Sequence, residues 1–168
     1  MKEPVEIYTD GACKGNPGPG GYGVVLVSGD HTKELSGGFR KTTNNRMELL
    51  ACIEGLRALK SPCDVVVTSD SKYVVEAINK GWARRWRSNG WKLSPSKRAK
   101  NPDLWASLLD LCATHNIRFE WVKGHAGHPR NERCDALAVK ASELKDLPAD
   151  LGFEESSRAT PVEDLFSI

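Results

Sequence analysis

Two acidic residues stand at the ends of apolar segments that are typical of β-strands. Asp10 closes the run IYTD, and Asp70 closes the run VVVTSD. If these two strands are parallel neighbours, their carboxylates lie about 5 Å apart at the carboxyl edge of the sheet, where open α/β sheets bind ligands. An acid that ends a strand is more often only a turn residue, so the pairing is a hypothesis that needs further residues.

Two more acids have the spacing to join this pair. Glu48 lies near the start of a predicted helix, four residues before Cys52 on its apolar side, and Asp135 lies in the first turn of the last predicted helix. Four carboxylates in one place repel one another unless cations neutralise them. Their hard oxygen atoms suit Mg²⁺ or Mn²⁺. The spacing therefore indicates a divalent-metal site, and a solvated helix residue is the alternative for Glu48.

The net charge of +2 conceals an uneven distribution. The segment from Lys80 to Lys100 holds eight basic residues and no acid, whereas the chain from Ser142 to its end holds seven acids and two bases. Uncompensated basic residues favour contact with phosphate. The alternative is a solvated basic helix whose tryptophans pack inward, and the two roles are compatible. We call this segment the basic block, and its candidate contacts are Lys80, Trp82, Arg84, Arg85, Trp86, Arg87, Trp91 and Lys92.

The elements that must position these residues follow from apolar periodicity. Strands are predicted at 5–10, 22–27, 34–40, 63–68 and 117–122, and helices at 43–60, 72–79, 104–113 and 132–144, with a short basic helix after residue 80. Residues 11–21, GACKGNPGPGG, are predicted to form a loop because they are rich in Gly and Pro. This order predicts an α/β fold: a five-stranded mixed sheet with antiparallel first three strands, flanked by helices.

Length and composition set the remaining bounds. The 168 residues fit one catalytic domain over 1–144, followed by a flexible acidic tail over 145–168. No apolar run has the length of a membrane helix or of a signal peptide, so a cytoplasmic protein is expected. The five cysteines are irregularly spaced and odd in number, which predicts reduced thiols.

Four segments of the sequence resemble the motifs of type 1 ribonuclease H, in the family's order and at its spacing. They are YTDGACKGNPGPGGYG, TTNNRMELLA, TSDSKYV and WVKGHAGHPRNERCDALA, and the resemblance covers about residues 5–142. It implies a ribonuclease H-like fold and an endoribonuclease that hydrolyses the RNA strand of RNA–DNA hybrids. It also implies that Asp10, Glu48, Asp70 and Asp135 are catalytic and hold two Mg²⁺ ions, for which Mn²⁺ can substitute. One ion activates the attacking water and the other stabilises the leaving 3′ oxygen, which gives 5′-phosphate and 3′-hydroxyl ends.

The same resemblance assigns further roles. His125 matches a mobile catalytic histidine, which can shuttle protons or help product release. Asn16, Asn44 and Asn45 match positions that line the hybrid groove, where amides can donate to and accept from the RNA 2′-hydroxyls. Thr43 resembles a contact to a DNA phosphate.

One position departs from the family pattern. Lys72 stands where the family often has Gln, and an ammonium group can donate a hydrogen bond to substrate but cannot accept one. The basic block resembles a protrusion found in many members of the family. It predicts that the domain binds an RNA–DNA hybrid without another module, as a monomer.

Two other functions remain open from sequence alone. One is a DNA nuclease or resolvase-like enzyme of the same fold, which cleavage of a hybrid but not of duplex DNA would exclude. The other is a hybrid-binding module without activity, against which the intact set of four acids argues.

The C-terminal tail carries a separate hypothesis. Leu165, Phe166 and Ile168 place apolar groups among polar ones, and Asp164-Leu165-Phe166 resembles the end of the peptide motif that binds the bacterial sliding clamp. The Gln and Leu that begin that motif are missing. A partner-binding tail, a tail that lies against the basic block and a frayed end are the three alternatives.

Overall fold

A computed structural model describes residues 4–157 of the chain. The strands in this part are β1 (Val5–Cys13), β2 (Gly18–Ser28), β3 (His31–Thr42), β4 (Asp64–Ser69), β5 (Lys92–Ser94), β6 (Lys97–Arg98) and β7 (Asn116–Trp121). The order of the main sheet is β3-β2-β1-β4-β7, and β5 pairs with β6 in a small hairpin. β3, β2 and β1 are antiparallel, whereas β4 runs parallel to both β1 and β7. The predicted mixed sheet is confirmed.

Helices connect and cover these strands. They are α1 (Asn44–Arg57), α2 (Lys72–Asn79), α3 (Trp82–Ser88), α4 (Pro102–Thr114) and α5 (Pro129–Ser142), followed by a helical segment over 151–157 that we call α6. Thr43 caps α1, because its side-chain oxygen accepts a hydrogen bond from the backbone N–H of Arg46. Ser71 caps α2 in the same way, which fixes the helix start at Lys72, two residues after Asp70.

The predicted loop over residues 11–21 is mostly strand. β1 continues through Cys13 and β2 begins at Gly18, so only residues 14–17 connect the two. The prediction is wrong because the glycines of β2 do not form a turn. They allow a helix to pack closely on the strand. A Cβ atom at Gly21, within this segment, would collide with the carbonyl oxygen of Ala138 in α5, so the bare backbone of β2 lets this helix lie directly on the sheet.

The core has two layers, one on each face of the sheet. Ile7 of β1 packs into the larger cluster with Leu49 and Leu56 of α1. Tyr8, the next residue of β1, packs on the opposite face with Cys134 of α5. β1 is therefore buried on both faces, which holds its C-terminal end in a fixed position between two helices.

The first part of the predicted flexible tail is packed on the domain. Asp150 is 7% exposed and accepts hydrogen bonds from the hydroxyl of Thr42 at 2.7 Å and from Nε of Arg46 at 2.7 Å. Arg40 forms two hydrogen bonds with the carboxylate of Glu154 in α6. A buried guanidinium group needs acidic partners, and residues 148–157 supply one. The Asp164-Leu165-Phe166 triplet and Ile168 lie outside the described residues.

The cysteines and the helices show two further features. All five cysteines are free thiols. Between residues 4 and 157, no helix combines the length and the apolar character needed to cross a membrane.

Candidate active site and nucleic-acid surface

Three of the four predicted acids meet at the carboxyl edge of the sheet. Thr9 of β1 lies opposite Ser69 of β4 in parallel register, so Asp10 and Asp70 emerge side by side. Glu48 reaches them from the second turn of α1. One carboxylate oxygen from each of the three acids lies within 4.8 Å of the others. This separation is short enough for a single cation to contact all three side chains.

Gly11 lets α1 approach this edge. A Cβ atom on Gly11 would lie 2.7 Å from the backbone nitrogen of Glu48 and 2.8 Å from the carbonyl carbon of Met47. Any side chain larger than hydrogen would push the helix away from β1. The backbone N–H of Gly11 also donates to Oδ1 of Asp10 at 2.9 Å, which orients that carboxylate. Gly11 therefore sets both the distance and the angle between two of the acids.

The carboxylates strongly perturb one another. Burial raises the pKa of Asp10 to about 7, and the nearby carboxylate of Asp70 adds to the effect. Burial, followed by the charges of Asp10 and Asp70, raises the pKa of Glu48 well above its ordinary value. The pKa of Asp70 is also raised, chiefly by burial. When ionised, three acids held this close in a poorly solvated place require a compensating positive charge.

The donor set fits a hard divalent cation. Oε2 of Glu48 is buried and has no hydrogen-bond partner among the described residues. An orphaned buried carboxylate oxygen is costly unless something binds it. Because all three side chains offer only oxygen, Mg²⁺ or Mn²⁺ suits the site better than a softer metal.

Asp135 lies outside the group of three close acids. It is half-buried in α5, and its charge contributes to the raised pKa values of Asp10 and Asp70. The fourth acid therefore faces the site across a larger distance. The site therefore has a tight side, formed by Asp10, Glu48 and Asp70, and an open side at Asp135.

His125 stands in the loop between β7 and α5, which approaches Asp70. A Cβ atom on Gly124 would lie 2.5 Å from Oδ2 of Asp70, so this loop packs directly on the carboxylate. His125 is exposed and adopts a left-handed backbone conformation with φ of 56°. Its proximity helps to lower the pKa of Asp70 against the effect of burial. The histidine is thus placed at the solvent side of the acidic group.

The residues predicted to line a hybrid groove surround the start of α1. Oδ1 of Asn16 accepts a hydrogen bond from the backbone N–H of Asn44 at 3.0 Å, which ties the β1–β2 turn to the helix. The side chains of Asn44 and Asn45 are exposed. Thr43 uses an oxygen lone pair as the helix cap, which leaves its O–H free to donate elsewhere. The structure brings these four residues together on one surface beside the acids.

Trp121 is a site residue that sequence reasoning missed. It ends β7, is 44% exposed, and donates its indole N–H to the backbone carbonyl of Asp70 at 3.0 Å. The ammonium group of Lys72 lies over its ring. The available signal was its position, because Trp121 ends the strand next to the one that Asp70 follows.

The basic block is less uniform than its sequence implies. Arg87 pairs with Asp110 of α4 at 2.8 Å, which corrects the expectation that no acid balances these charges. Arg84 and Arg85 are exposed and have no ion pair in the described part of the chain. The tryptophans Trp82, Trp86 and Trp91 pack against the main core. Trp86 meets Trp105 edge to face, with ring centroids 5.7 Å apart. The packing role of the tryptophans therefore holds, and the free arginines form the outer surface.

Comparison with known proteins agrees with this architecture. Residues 2–143 match the sequence profile described as RNase H. The Ribonuclease H of Syntrophus aciditrophicus (strain SB) is 64% identical over 149 residues, which cover 89% of this chain and 86% of that protein. The Ribonuclease HI of Synechocystis sp. (strain ATCC 27184 / PCC 6803 / Kazusa) is 51% identical, over 89% of this chain and 94% of that protein.

Solved structures show the same relationship. LC9-RNase H1, described as a type 1 RNase H with the type 2 active-site motif, is 34% identical with a TM-score of 0.75, over 84% of this chain and 74% of that one. The fold and the site thus define a metal-dependent nuclease. The chain belongs to the RNase H family, and it is an endoribonuclease.

Proposed function

We propose that this enzyme hydrolyses the RNA strand of RNA–DNA hybrids and leaves 5′-phosphate and 3′-hydroxyl ends. The observation that carries the proposal is the group formed by Asp10, Glu48 and Asp70, with its orphaned Glu48 oxygen. Asp135 is the fourth acid on the open side. Two bound Mg²⁺ ions would supply an activated water and would neutralise charge at the leaving 3′ oxygen.

The chain's own residues divide the remaining tasks. Asp10 and Glu48 form the rigid side of the site, because β1 and α1 fix them through Gly11. Asp70 and Asp135 are only half-buried, unlike Asp10 and Glu48, so the scissile phosphate can reach them from solvent. The exposed His125 can carry a proton between the leaving oxygen and solvent, or assist product release, because its loop packs on Asp70.

The surface around the start of α1 would select the substrate. Amides at Asn16, Asn44 and Asn45 can both donate to and accept from a 2′-hydroxyl, the group that distinguishes RNA from DNA. The hydroxyl of Thr43 and the free cations of the basic block would bind phosphates. The structure of LC11-RNase H1, which has the same fold, contains an RNA/DNA hybrid. A hybrid is therefore the first substrate to test.

The test compares four labelled substrates, namely a hybrid, duplex RNA, duplex DNA and single-stranded RNA, with Mg²⁺ and with chelator. We expect cleavage of the hybrid's RNA strand alone, dependent on Mg²⁺ and absent in Asp10→Asn. Phosphatase should release phosphate from the 5′ ends of the cleaved fragments, which identifies these ends as 5′-phosphates. Cleavage of duplex DNA would favour a DNA nuclease, and binding of the hybrid without cleavage would favour a binding module.

A further inference from the structure

A groove of about 720 Å³ opens beside the N-terminus of α1. One wall is formed by three residues already assigned to the substrate surface, Asn16, Thr43 and Asn45. Arg98 and Lys100 also line the groove. Both are exposed, and neither forms an ion pair with any residue between 4 and 157. Arg, Lys, Ser, Thr and Asn are the side chains that usually contact nucleic-acid phosphates and sugars, so the groove suits a sugar–phosphate backbone.

Another wall of this groove is α6. Phe153 and Ser157 line it, although they belong to the part of the chain that is predicted to be a flexible tail. Glu155 of the same helix lines a neighbouring hollow instead. The carboxylate of Glu154 is paired with Arg40. The acids of α6 are therefore neutralised or turned aside where the groove would receive phosphate.

A buried ion network holds α6 in place. Arg46 is 3% exposed, and its guanidinium group contacts Asp103 at 2.7 and 2.9 Å and Asp150 at 2.7 and 3.0 Å. Asp150 precedes α6 and also accepts a hydrogen bond from the backbone N–H of Phe153. Arg46 itself lies on α1, two residues before Glu48. The network thus joins the helix that carries a catalytic acid to the wall of the groove.

We propose that α6 is a substrate-binding element, whose Ser157 and Phe153 contact the sugar–phosphate backbone of the bound hybrid. The hydroxyl of Ser157 can donate to a phosphate oxygen, and the ring of Phe153 can cover a sugar. This inference rests on the proposed function, because it takes the hybrid as the ligand. It assigns the segment after α5 to the nucleic-acid surface.

The experiment compares two single variants of the full-length protein, each of which adds one negative charge to α6 at a different position. Ser157→Asp faces the groove, and Leu151→Asp is the matched control, because Leu151 is 64% exposed and does not line the groove. Affinity for a fluorescent hybrid is measured in an Asp10→Asn background, which prevents cleavage. Ser157→Asp should weaken binding about threefold or more at low salt and much less at high salt, because exposed charges are screened. Leu151→Asp should change affinity less than about twofold.

A third variant keeps the result independent of folding. Ser157→Arg should tighten binding, and urea unfolding should give the same midpoint for all three variants. Equal affinities for Ser157→Asp and Leu151→Asp, or no gain in Ser157→Arg, would overturn the role of α6. In that outcome the parent still cleaves the hybrid, whereas failure of the proposed function would appear as a parent that neither cleaves nor binds it.

Discussion

The ammonium group of Lys72 lies 4.9 Å from the centroid of the Trp121 indole ring. The same indole donates its N–H to the backbone carbonyl of Asp70. A cation is therefore held beside one of the three close acids by a ring that is fixed to that acid's own backbone. Attraction between an ammonium group and an aromatic face is modest at an exposed site, at about 0.5–1 kcal/mol, so Lys72 can leave the ring for a phosphate.

Lys72→Gln should weaken hybrid binding mainly at low salt. If the ammonium group contacts one phosphate, the slope of log affinity against log salt should fall by about 0.9 or slightly less. Anisotropy titrations over a salt series, in the Asp10→Asn background, measure this slope. Trp121→Leu keeps the charge of Lys72 but removes the aromatic ring beneath it, so this variant should leave the slope nearly unchanged. A slope for Lys72→Gln equal to that of the parent would show that the ammonium group does not contact the backbone.

Asp10→Asn should abolish cleavage and stabilise the metal-free protein at high pH. The pKa of Asp10 is raised from 3.8 to about 7, by burial first and then by Asp70. An acid with a raised folded-state pKa stabilises the fold fully below its unfolded pKa, and this contribution is lost as pH rises through about 7. Asn avoids this loss. Its free energy of unfolding should exceed that of the parent by on the order of 1–4 kcal/mol above pH 8, and by little near pH 4.

Urea unfolding in chelator at both pH values measures this difference. Added Mg²⁺ should stabilise the parent and not Asp10→Asn, because only the parent keeps the complete set of metal ligands. A variant that is less stable than the parent at high pH, or that retains more than trace activity in Mg²⁺, contradicts the assignment.

The arginines of the basic block should contribute unequally to hybrid binding. Arg84 and Arg85 form no ion pair with any residue from 4 to 157, whereas Arg87 pairs with Asp110. The double variant Arg84→Ala/Arg85→Ala should reduce the salt slope of hybrid binding by up to about 1.8, or about 0.9 for each phosphate contact. Arg87→Ala should reduce it less. An unchanged slope in the double variant would show that these two arginines do not touch the backbone.

The buried network around Arg46 should matter more than the exposed pair beside it. Arg46→Ala leaves Asp150 buried without its cation and should cost about 3–5 kcal/mol of unfolding free energy. Arg40→Ala breaks the more exposed contact with Glu154 and should cost about 0–1 kcal/mol. Urea unfolding of both variants compares them. Similar costs would mean that the guanidinium group of Arg46 is not effectively buried.

Sequence predicted what depends on local signals. The bounds of α2 are matched at both ends, because Ser71 caps a strongly periodic segment. The convergence of Asp10 and Asp70 followed from two strands that end in acids. Glu48 and Asp135 needed helix register as well, and the structure keeps only Glu48 in the close group.

The predictions that failed depend on contacts distant in the chain. The glycines of β2 are typical of a turn until α5 is placed over them. Asp150 has no neighbour in sequence that marks it as buried, because its partner Arg46 is 104 residues away. The pairing of Arg87 with Asp110 needed the relative placement of two helices. None of these contacts leaves a local pattern.

The acids proposed for the site come from β1, α1, the residue after β4, and α5, which are widely separated along the chain. A ribosome delivers Asp10, Glu48 and Asp70 first, then Asp135, and Asp150 of the Arg46 network after all four acids. A nascent chain that does not yet reach Asp135 therefore lacks the fourth carboxylate, whatever the arrangement of the other three. Because the proposed mechanism uses all four acids, such a chain should not cut RNA.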